Sequence, residues 1–282
     1  MVQSMGADLR NLSDPVVVAA FGGWNDAGTA ASSAIQHLAD SYDAELAYAI
    51  DPDDFYDFQV NRPQVSLVND EGEHEITWPT TEIKVATLPT GRHLVLIQGL
   101  EPNLRWRQFV GILSSALATV KPKRVFILGA LLADTPHTRP IPVSLTTRTT
   151  RLADELGLDI STYEGPTGIV GVLADSLSRA GHEVVSMWAA IPHYVSHPPC
   201  PKATLALLTK LEDVLDTPLD LGELPELARA WERGVDELAA EDTEVAEYVS
   251  TLEEQRDATE LPEASGDAIA AEFERYLRRR RG

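Results

Sequence analysis

Residues that could bind or transform a small ligand fall in short segments between the apolar runs of this 282-residue chain. The candidates are Gly23, Trp24, Asn25, Asp26, Gly28, Glu101, His137, Arg139, Glu164, Gly165 and His193. By residue type, Asp26 or Glu101 could act as a base, and His137 could shuttle a proton. Arg139 could hold an anion. These roles require distant segments to meet, so the sequence leaves the catalytic residues unknown.

The segment 22–28, GGWNDAG, has the glycines of a phosphate loop, which expose backbone N–H groups to an anion at the start of a helix. It lacks the Lys-Ser/Thr pair of a Walker A motif, because Thr29 and Ala30 occupy those positions. The carboxylate of Asp26 would also repel a phosphate. We therefore favour a tight turn between a strand and a helix over an anion site. The segment 165–168, GPTG, is open to both interpretations.

The histidines of the candidate set lie among prolines. His137 and Arg139 could serve acid–base chemistry and anion binding, or they could lock a loop or contact a neighbouring subunit; we favour the structural role. His193 and His197 have the spacing of a zinc helix, but HYVSH lacks the glutamate of HExxH and is flanked by prolines, so we expect no metal. Cys200 has no neighbouring base in sequence and is interpreted as a bystander thiol. We expect no cofactor.

The elements that position these residues alternate between strands and helices up to about residue 216. The predicted strands are 15–21, 45–50, 93–99, 124–130 and 183–190, and the predicted helices are 26–39, 104–120, 147–156, 167–180 and 201–215. The strands are apolar almost throughout, which is typical of a parallel sheet buried on both faces. Segments 64–68 and 75–78 predict an antiparallel hairpin at a sheet edge. This pattern predicts a three-layer α/β/α fold with a mostly parallel sheet.

In such a sheet, ligands bind beyond the carboxyl ends of the strands. Most of the candidate residues follow predicted strands, so we expect them to converge on one edge of the sheet. This convergence would bring prolines, imidazoles and acids from distant segments together.

The C-terminal part has a different character. Residues 211–274 contain 21 acidic and three basic residues, a net charge of −18. Apolar residues spaced three or four apart predict two or three amphipathic helices, with stripes at 224–238, 245–252 and 269–277. We therefore divide the chain into an α/β/α domain, 1–217, and an acidic helical module, 218–282. Each stripe requires a partner surface, either the α/β core or another subunit. The arginines at 278–281 could be a solvated helix end or a docking tag.

Composition excludes several classes of protein. One cysteine rules out a disulfide framework within the chain and a multi-cysteine zinc site. The net charge of −21 disfavours binding to nucleic acid. Residues 1–15 lack the apolar core of a secretory signal, and the apolar run 108–120 is too short to cross a bilayer. We expect a cytoplasmic protein that binds neither nucleic acid nor membrane.

Several segments together resemble one known family. They are GGWNDAG, IDPDDFYDFQVNRP, GLEPNLRWRQF, LGALLADTPHTRPIPV, YEGPTGIVGVL and SMWAAIPHYVSHPPCPKATLALL. In this order, from about Pro15 to Leu215, they resemble the bacterial branch of the proteasome assembly chaperone 2 family. The resemblance implies a three-layer α/β/α domain similar to nucleoside phosphorylases, and it implies no established catalytic residues.

Eukaryotic members of that family form dimers that chaperone assembly of the proteasome α ring. The resemblance therefore implies an interaction protein that associates with itself and with proteasome-type subunits. The alternative is a small-molecule enzyme on a nucleoside-phosphorylase-like scaffold. One feature departs from the eukaryotic pattern: the chain lacks a C-terminal hydrophobic–Tyr–any-residue ending, and its last tyrosine, Tyr276, lies six residues from the end.

Overall fold

The computed structural model describes residues 3–4, 7–68, 72–195 and 197–260. Its strands are β1 (Gln3–Ser4), β2 (Val16–Gly22), β3 (Glu45–Ile50), β4 (Gln64–Leu67), β5 (His74–Thr77), β6 (Thr81–Thr87), β7 (His93–Leu100), β8 (Arg124–Ala133), β9 (Val143–Thr147), β10 (Asp159–Ile160) and β11 (Val184–Pro192). Its helices are α1 (Ala30–Ser41), α2 (Trp106–Val120), α3 (Thr150–Leu156), α4 (Ile169–Arg179), α5 (Pro201–Leu215), α6 (Leu224–Glu241) and α7 (Thr243–Glu260). None of these helices combines the length and apolarity that a bilayer-spanning segment needs.

The main sheet has the strand order β1-β3-β6-β7-β2-β8-β11-β9-β10. Strands β7, β2, β8 and β11 form a continuous parallel block. β6 is antiparallel to both β3 and β7, so β3 points in the same direction as that block. The predicted α/β/α fold with a mostly parallel sheet is confirmed.

The two faces of the sheet bury different helices because side chains alternate along each strand. On β2, Val16, Val18 and Ala20 join a core cluster that includes buried residues of α1 and α5. Val17, Ala19 and Phe21 join a second cluster that includes residues of α2 and α4. Both clusters are almost fully buried, so the middle of β2 is covered on both sides. This burial accounts for the continuous apolar run of its sequence.

The structure corrects three details of the predicted elements. The strand at 45–50 does not adjoin the parallel block, because the unpredicted strand β6 lies between it and β7. The hairpin β4–β5 forms a separate two-stranded sheet rather than an edge of the main one. The predicted helix 147–156 begins only at Thr150, because Thr147 ends β9 beside β11.

The acidic helices α6 and α7 pack against the α/β part of the chain. α6 lies on α5 and buries Leu224 and Val235, whereas the predicted stripe residues Leu227 and Leu238 are exposed. Two further residues of α6, Ala228 and Ala239, complete the buried stripe. The buried face of α6 is therefore rotated about the helix axis relative to the predicted stripe. The third predicted stripe, 269–277, and the arginines 278–281 lie outside the described residues.

Candidate functional site

The loops that follow the parallel strands lie along one edge of the sheet. The register pairs Gly22 with Leu100 and Ala133 with Pro192, so these strands end side by side. The backbone N–H of Ala130 donates to the Asn25 carbonyl at 2.8 Å, which holds the loop after β2 against β8. We call this edge the strand-end rim. It comprises residues 23–28, 100–105, 132–140, 193–195 and 197–200, with 163–168 contacting it through the start of α4.

Within the rim, the GGWNDAG loop is a strand–helix turn closed by Asp26. The Asp26 Oδ1 accepts from the Ala31 N–H at 2.7 Å, and its Oδ2 accepts from the Ser32 hydroxyl at 2.5 Å. Burial raises the pKa of this carboxyl above its ordinary value. The carboxylate thus caps two residues of the first turn of α1 and places a negative charge at the N-terminus of that helix. This geometry matches the tight turn favoured from the sequence.

Two glycines allow that turn. Gly23 and Gly28 have φ of +119° and +57°, a region that other residues rarely adopt. A Cβ added at Gly28 would lie 2.8 Å from the Cβ of Cys200, whose N–H donates to the Gly28 carbonyl at 2.9 Å. Burial raises the pKa of the Cys200 thiol to about 11. The thiol is therefore protonated at neutral pH and lacks the reactivity of a nucleophilic cysteine.

Asn25 and Glu101 meet at the start of α4. The Glu101 Oε1 accepts from the Asn25 Nδ2 at 2.8 Å and from the Ile169 N–H at 2.7 Å. A carboxylate at this position also interacts favourably with the helix dipole of α4. Gly168 makes the contact sterically feasible, because a Cβ there would lie 2.2 Å from Asn25 Oδ1 and 2.6 Å from Glu101 Oε1. We call this group the Asn25–Glu101 clamp.

His137 is buried and bonded on both ring nitrogens. Its Nδ1 lies 2.8 Å from the Tyr194 hydroxyl, which also accepts from the His137 backbone N–H at 2.8 Å. Its Nε2 lies 2.9 Å from Asp236 Oδ1 on α6. Burial raises the pKa of Tyr194 to about 12. His137 therefore connects the loop after β8 with the loop after β11 and with the acidic helices.

Arg139 extends the same connection to α7. Its guanidinium donates to both carboxylate oxygens of Asp257 at 2.8 Å and to Glu253 Oε1 at 3.2 Å. The bonds from Arg139 lower the pKa of Asp257. Nearby, Lys202 on α5 bonds to Glu232 on α6 and to the His137 carbonyl.

His193 also faces α7. Its Nδ1 lies 3.2 Å from Asp134 Oδ1, which accepts from the Tyr248 hydroxyl at 3.0 Å. The rings of His193 and Tyr248 are 5.5 Å apart in an edge-to-face arrangement. We call the contacts of His137, Arg139, His193 and Lys202 with α6 and α7 the helical latch.

The predicted site residues therefore fall into groups with different roles. Asn25 and Glu101 form the clamp, whereas His137, Arg139 and His193 form the latch. Glu164 is exposed and takes no part in the contacts described for the clamp and the latch. Gly165 lies beside it, next to the Tyr163 hydroxyl, which donates to the Pro166 carbonyl at 2.7 Å.

The sequence does not identify the residues that form hydrogen bonds and ion pairs with these side chains. Glu253 and Asp257 are spaced four apart on one helix, so they face the same way and can both reach one arginine. That spacing was the available signal, but it does not identify the arginine. Gly168 belongs to the GPTG segment, which the sequence leaves open between a tight turn and an anion site, and its close approach to the clamp has no signature in a single sequence.

Exposed apolar side chains remain at the rim. Trp24 is 68% exposed, and the other members are Leu100, Leu104, Leu132 and Tyr163. Among the described residues, no group of three or more His, Cys, Asp and Glu could hold a metal ion. A cavity of about 250 Å³ lies elsewhere, between α2 and residues 48–55, and none of the candidate residues lines it.

Comparisons with known proteins agree with this architecture. The model of the PAC2 family matches residues 20–239. A crystal structure of a PAC2 family protein from Streptomyces avermitilis is 55% identical, has a TM-score of 0.79 and covers 84% of this chain and 100% of its own. A Mycobacterium tuberculosis proteasome-assembly chaperone homologue is 51% identical, has a TM-score of 0.75 and covers 83% of this chain and 99% of its own.

A more distant structure shares the fold alone. The archaeal proteasome activator PbaB of Pyrococcus furiosus is 14% identical, has a TM-score of 0.66 and covers 84% of this chain and 98% of its own. No curated protein matches the chain. The family model spans most of the α/β part together with α6, and two bacterial relatives exceed half identity over nearly their whole length. The chain therefore belongs to the PAC2 family.

Proposed function

We propose that this protein is a proteasome-assembly-chaperone-like interaction protein that binds proteasome-type subunits and a second copy of itself. Family membership supports this proposal, together with the 51% identity to a proteasome-assembly chaperone homologue. We also propose that the acidic segment 218–282 is an accessory helical module on the α/β domain 1–217. The proposed compartment is the cytoplasm, where a free thiol such as Cys200 stays reduced.

One observation at the rim carries the proposal. The side chains that could have formed an acid–base set are engaged inside the protein: Asp26 caps α1, Glu101 holds the start of α4, and His137 bonds to α6. The rim also presents large apolar side chains to solvent, of which Trp24 is the most exposed. Exposed aromatic and aliphatic side chains on one edge are typical of protein interaction surfaces.

Trp24 is the side chain expected to contribute most to binding. Tryptophan dominates protein interfaces because it buries a large apolar area with few rotatable bonds. The exposed leucines, of which Leu132 is the most exposed, would surround it on a partner surface. The acids of α6 and α7 lie beside the rim, so a partner with a basic margin is favoured over an acidic one.

The test is binding of the full-length protein to purified proteasome α-type subunits by biolayer interferometry. We expect Trp24→Ala to weaken binding by about tenfold or more, as truncation of a central aromatic does. The matched control is Ile160→Ala. Ile160 is also exposed, but it ends β10 on the opposite edge, since β10 is parallel to β9 and β9 is antiparallel to β11.

Two results would contradict the proposal. One is the absence of binding by the wild-type protein at subunit concentrations up to about 100 µM, which corresponds to a binding free energy weaker than about 5.5 kcal/mol. The other is an equal loss of affinity in Trp24→Ala and Ile160→Ala, which would show that binding does not depend specifically on the strand-end rim.

A further inference from the structure

Helices α6 and α7 are attached to the α/β part of the chain in different ways. α6 packs on α5 and buries a stripe of apolar side chains along its length. Of the side chains of α7 that the structure describes, only Val249 and Leu252 are buried. Asp242 separates the two helices, and its backbone is extended, with φ of −123°. The position of α7 therefore depends on the polar contacts of the helical latch more than the position of α6 does.

The surface under α7 binds carboxylates. Arg139 donates to both oxygens of Asp257 at 2.8 Å, and it also donates to Glu253 at 3.2 Å. The Thr138 hydroxyl donates to the same oxygen of Glu253. A planar guanidinium with two parallel N–H groups selects carboxylates by geometry as well as by charge. In a chain with a net charge of −21, this surface attracts the groups that the molecule as a whole repels.

The loop that carries these donors is fixed by contacts that do not involve α7. The His137 N–H donates to the Tyr194 hydroxyl at 2.8 Å, and Lys202 on α5 donates to the His137 carbonyl. Ile141, just after the loop, is buried in the core cluster that includes residues of α5. Because these contacts come from α5 and from the loop after β11, we expect Arg139 to keep its position when α7 leaves.

Aromatic contacts add to the polar ones. The ring of Tyr248 on α7 lies 5.5 Å from that of His193 and 6.0 Å from that of Tyr194, edge to face in both cases. We call Thr138, Arg139, His193 and Tyr194 the carboxylate-binding surface. The groups of α7 that contact it are one tyrosine and, five and nine residues later, two carboxylates.

These contacts hold α7 in a way that another acidic helix could replace. The Asp257 side chain is 49% exposed, and ion pairs at such positions contribute little to stability. A segment tethered to its own binding surface nevertheless has a high effective concentration there. α7 therefore occupies the surface through its connection to α6 as much as through the strength of its contacts.

We propose that the carboxylate-binding surface is a second binding site of this protein and that α7 blocks it until an acidic helical segment of a partner displaces α7. The ligand is a helix that carries an aromatic residue and two carboxylates four residues apart, as α7 does. With α7 in place, its own acids repel such a partner, so the site is autoinhibited. This inference goes beyond the proposed function, because it concerns a surface other than Trp24 and its test contains no proteasome subunit.

The experiment measures binding of a fluorescein-labelled peptide with the sequence of residues 243–260 to the full-length protein by fluorescence anisotropy. This peptide has six acidic residues and one arginine. The test variant, Glu253→Gln/Asp257→Asn, weakens the hold of the protein's own α7. The matched control is Glu247→Gln/Glu254→Gln, which removes two charges from exposed positions of the same helix.

We expect the test variant to bind the peptide at least about tenfold more tightly than the wild-type protein or the control, because its own α7 competes less well. Adding Arg139→Gln to the test variant should abolish this gain. Equal peptide binding by the wild-type protein, the control and the test variant would overturn the inference, and so would the absence of binding to the test variant.

A second comparison changes only the peptide and so does not depend on how a protein variant folds. A peptide with the same Glu253→Gln and Asp257→Asn substitutions should bind the test variant at least about tenfold more weakly than the unsubstituted peptide, because it offers Arg139 no carboxylate. Equal binding of the two peptides would show that the surface does not recognise these acids, which overturns the inference.

Discussion

Gly168→Ala is the substitution that most directly tests the Asn25–Glu101 clamp. The added Cβ would lie 2.2 Å from Asn25 Oδ1, about 1 Å inside an ordinary contact, and 2.6 Å from Glu101 Oε1. Because the hydrogen bonds of Glu101 are already 2.7 and 2.8 Å long, a displacement of that size breaks at least one of them. The backbone of Gly168 is extended, with φ of −91°, so crowding rather than backbone strain is the cause.

Two contributions determine how much Gly168→Ala lowers the free energy of unfolding. Overpacking a tight site costs roughly 1–3 kcal/mol, and losing a hydrogen bond to a charged group costs roughly 1.5–3 kcal/mol. A combined loss of about 3 kcal/mol in the free energy of unfolding lowers Tm by roughly 6–12 °C in a protein of this size. The assay is thermal unfolding followed by circular dichroism at neutral pH.

Gly111→Ala is the matched control. Gly111 lies in the exposed part of α2, and a Cβ there meets nothing within 4 Å. Alanine should stabilise that helix by about 0.5–1 kcal/mol, because glycine loses more backbone entropy on folding. The reasoning is refuted if Gly168→Ala melts within about 1 °C of the wild-type protein, or if both alanines lower Tm equally. Asn25→Ala should reduce the additional cost of Gly168→Ala, since it removes the nearest clashing atoms.

Two further predictions concern the helical latch. Arg139→Ala removes the two bonds to Asp257 and the bond to Glu253. Amide hydrogen exchange in α7 should therefore accelerate, while exchange in β2 stays unchanged. Equal acceleration in both elements would contradict a local role for the helical latch. Tyr194 ionises near pH 10 when unfolded and at about 12 when folded, so the folded state resists its deprotonation and the free energy of unfolding should fall as the pH rises from 10 to 12. In Tyr194→Phe, the fall in the free energy of unfolding between pH 10 and 12 that is due to this hydroxyl should disappear, as measured by urea titrations. The variant should also be less stable at pH 8, by about 1–3 kcal/mol, because the His137 N–H loses its acceptor. If the free energy of unfolding falls with pH as steeply as in the wild-type protein, the raised pKa does not belong to Tyr194.

The sequence predicted the fold because its central strands are apolar on both faces. Strands such as β2 and β8 are recognisable from composition alone, since helices cover both of their sides. β6 was missed for the opposite reason: its sequence TEIKVAT alternates, and Glu82 and Lys84 lie on its less buried face, where they form an ion pair 2.8 Å long. A search for continuous apolar runs overlooks such a strand.

The site was predicted only as far as topology determines it. Parallel strands place their following loops on one edge, so residues 101, 137 and 193 were expected near the same rim. What each side chain bonds to depends on chain segments about a hundred residues away, such as Asp236 and Asp257, whose acids look alike in the sequence. For that reason, assigning these candidates to a clamp and a latch required coordinates.

Backbone hydrogen bonds hold the loop that carries Trp24 at the residues before and after it. The Asp26 N–H donates to the Gly23 carbonyl at 3.1 Å, and β8 holds the Asn25 carbonyl, while the Asn25 side chain is almost fully buried. The backbone beneath the ring therefore has little freedom left to lose when a partner arrives, and only the side-chain torsions must be restrained. An exposed ring on a backbone that is already ordered loses little conformational entropy on binding, which favours high affinity for a partner whose surface fits the indole.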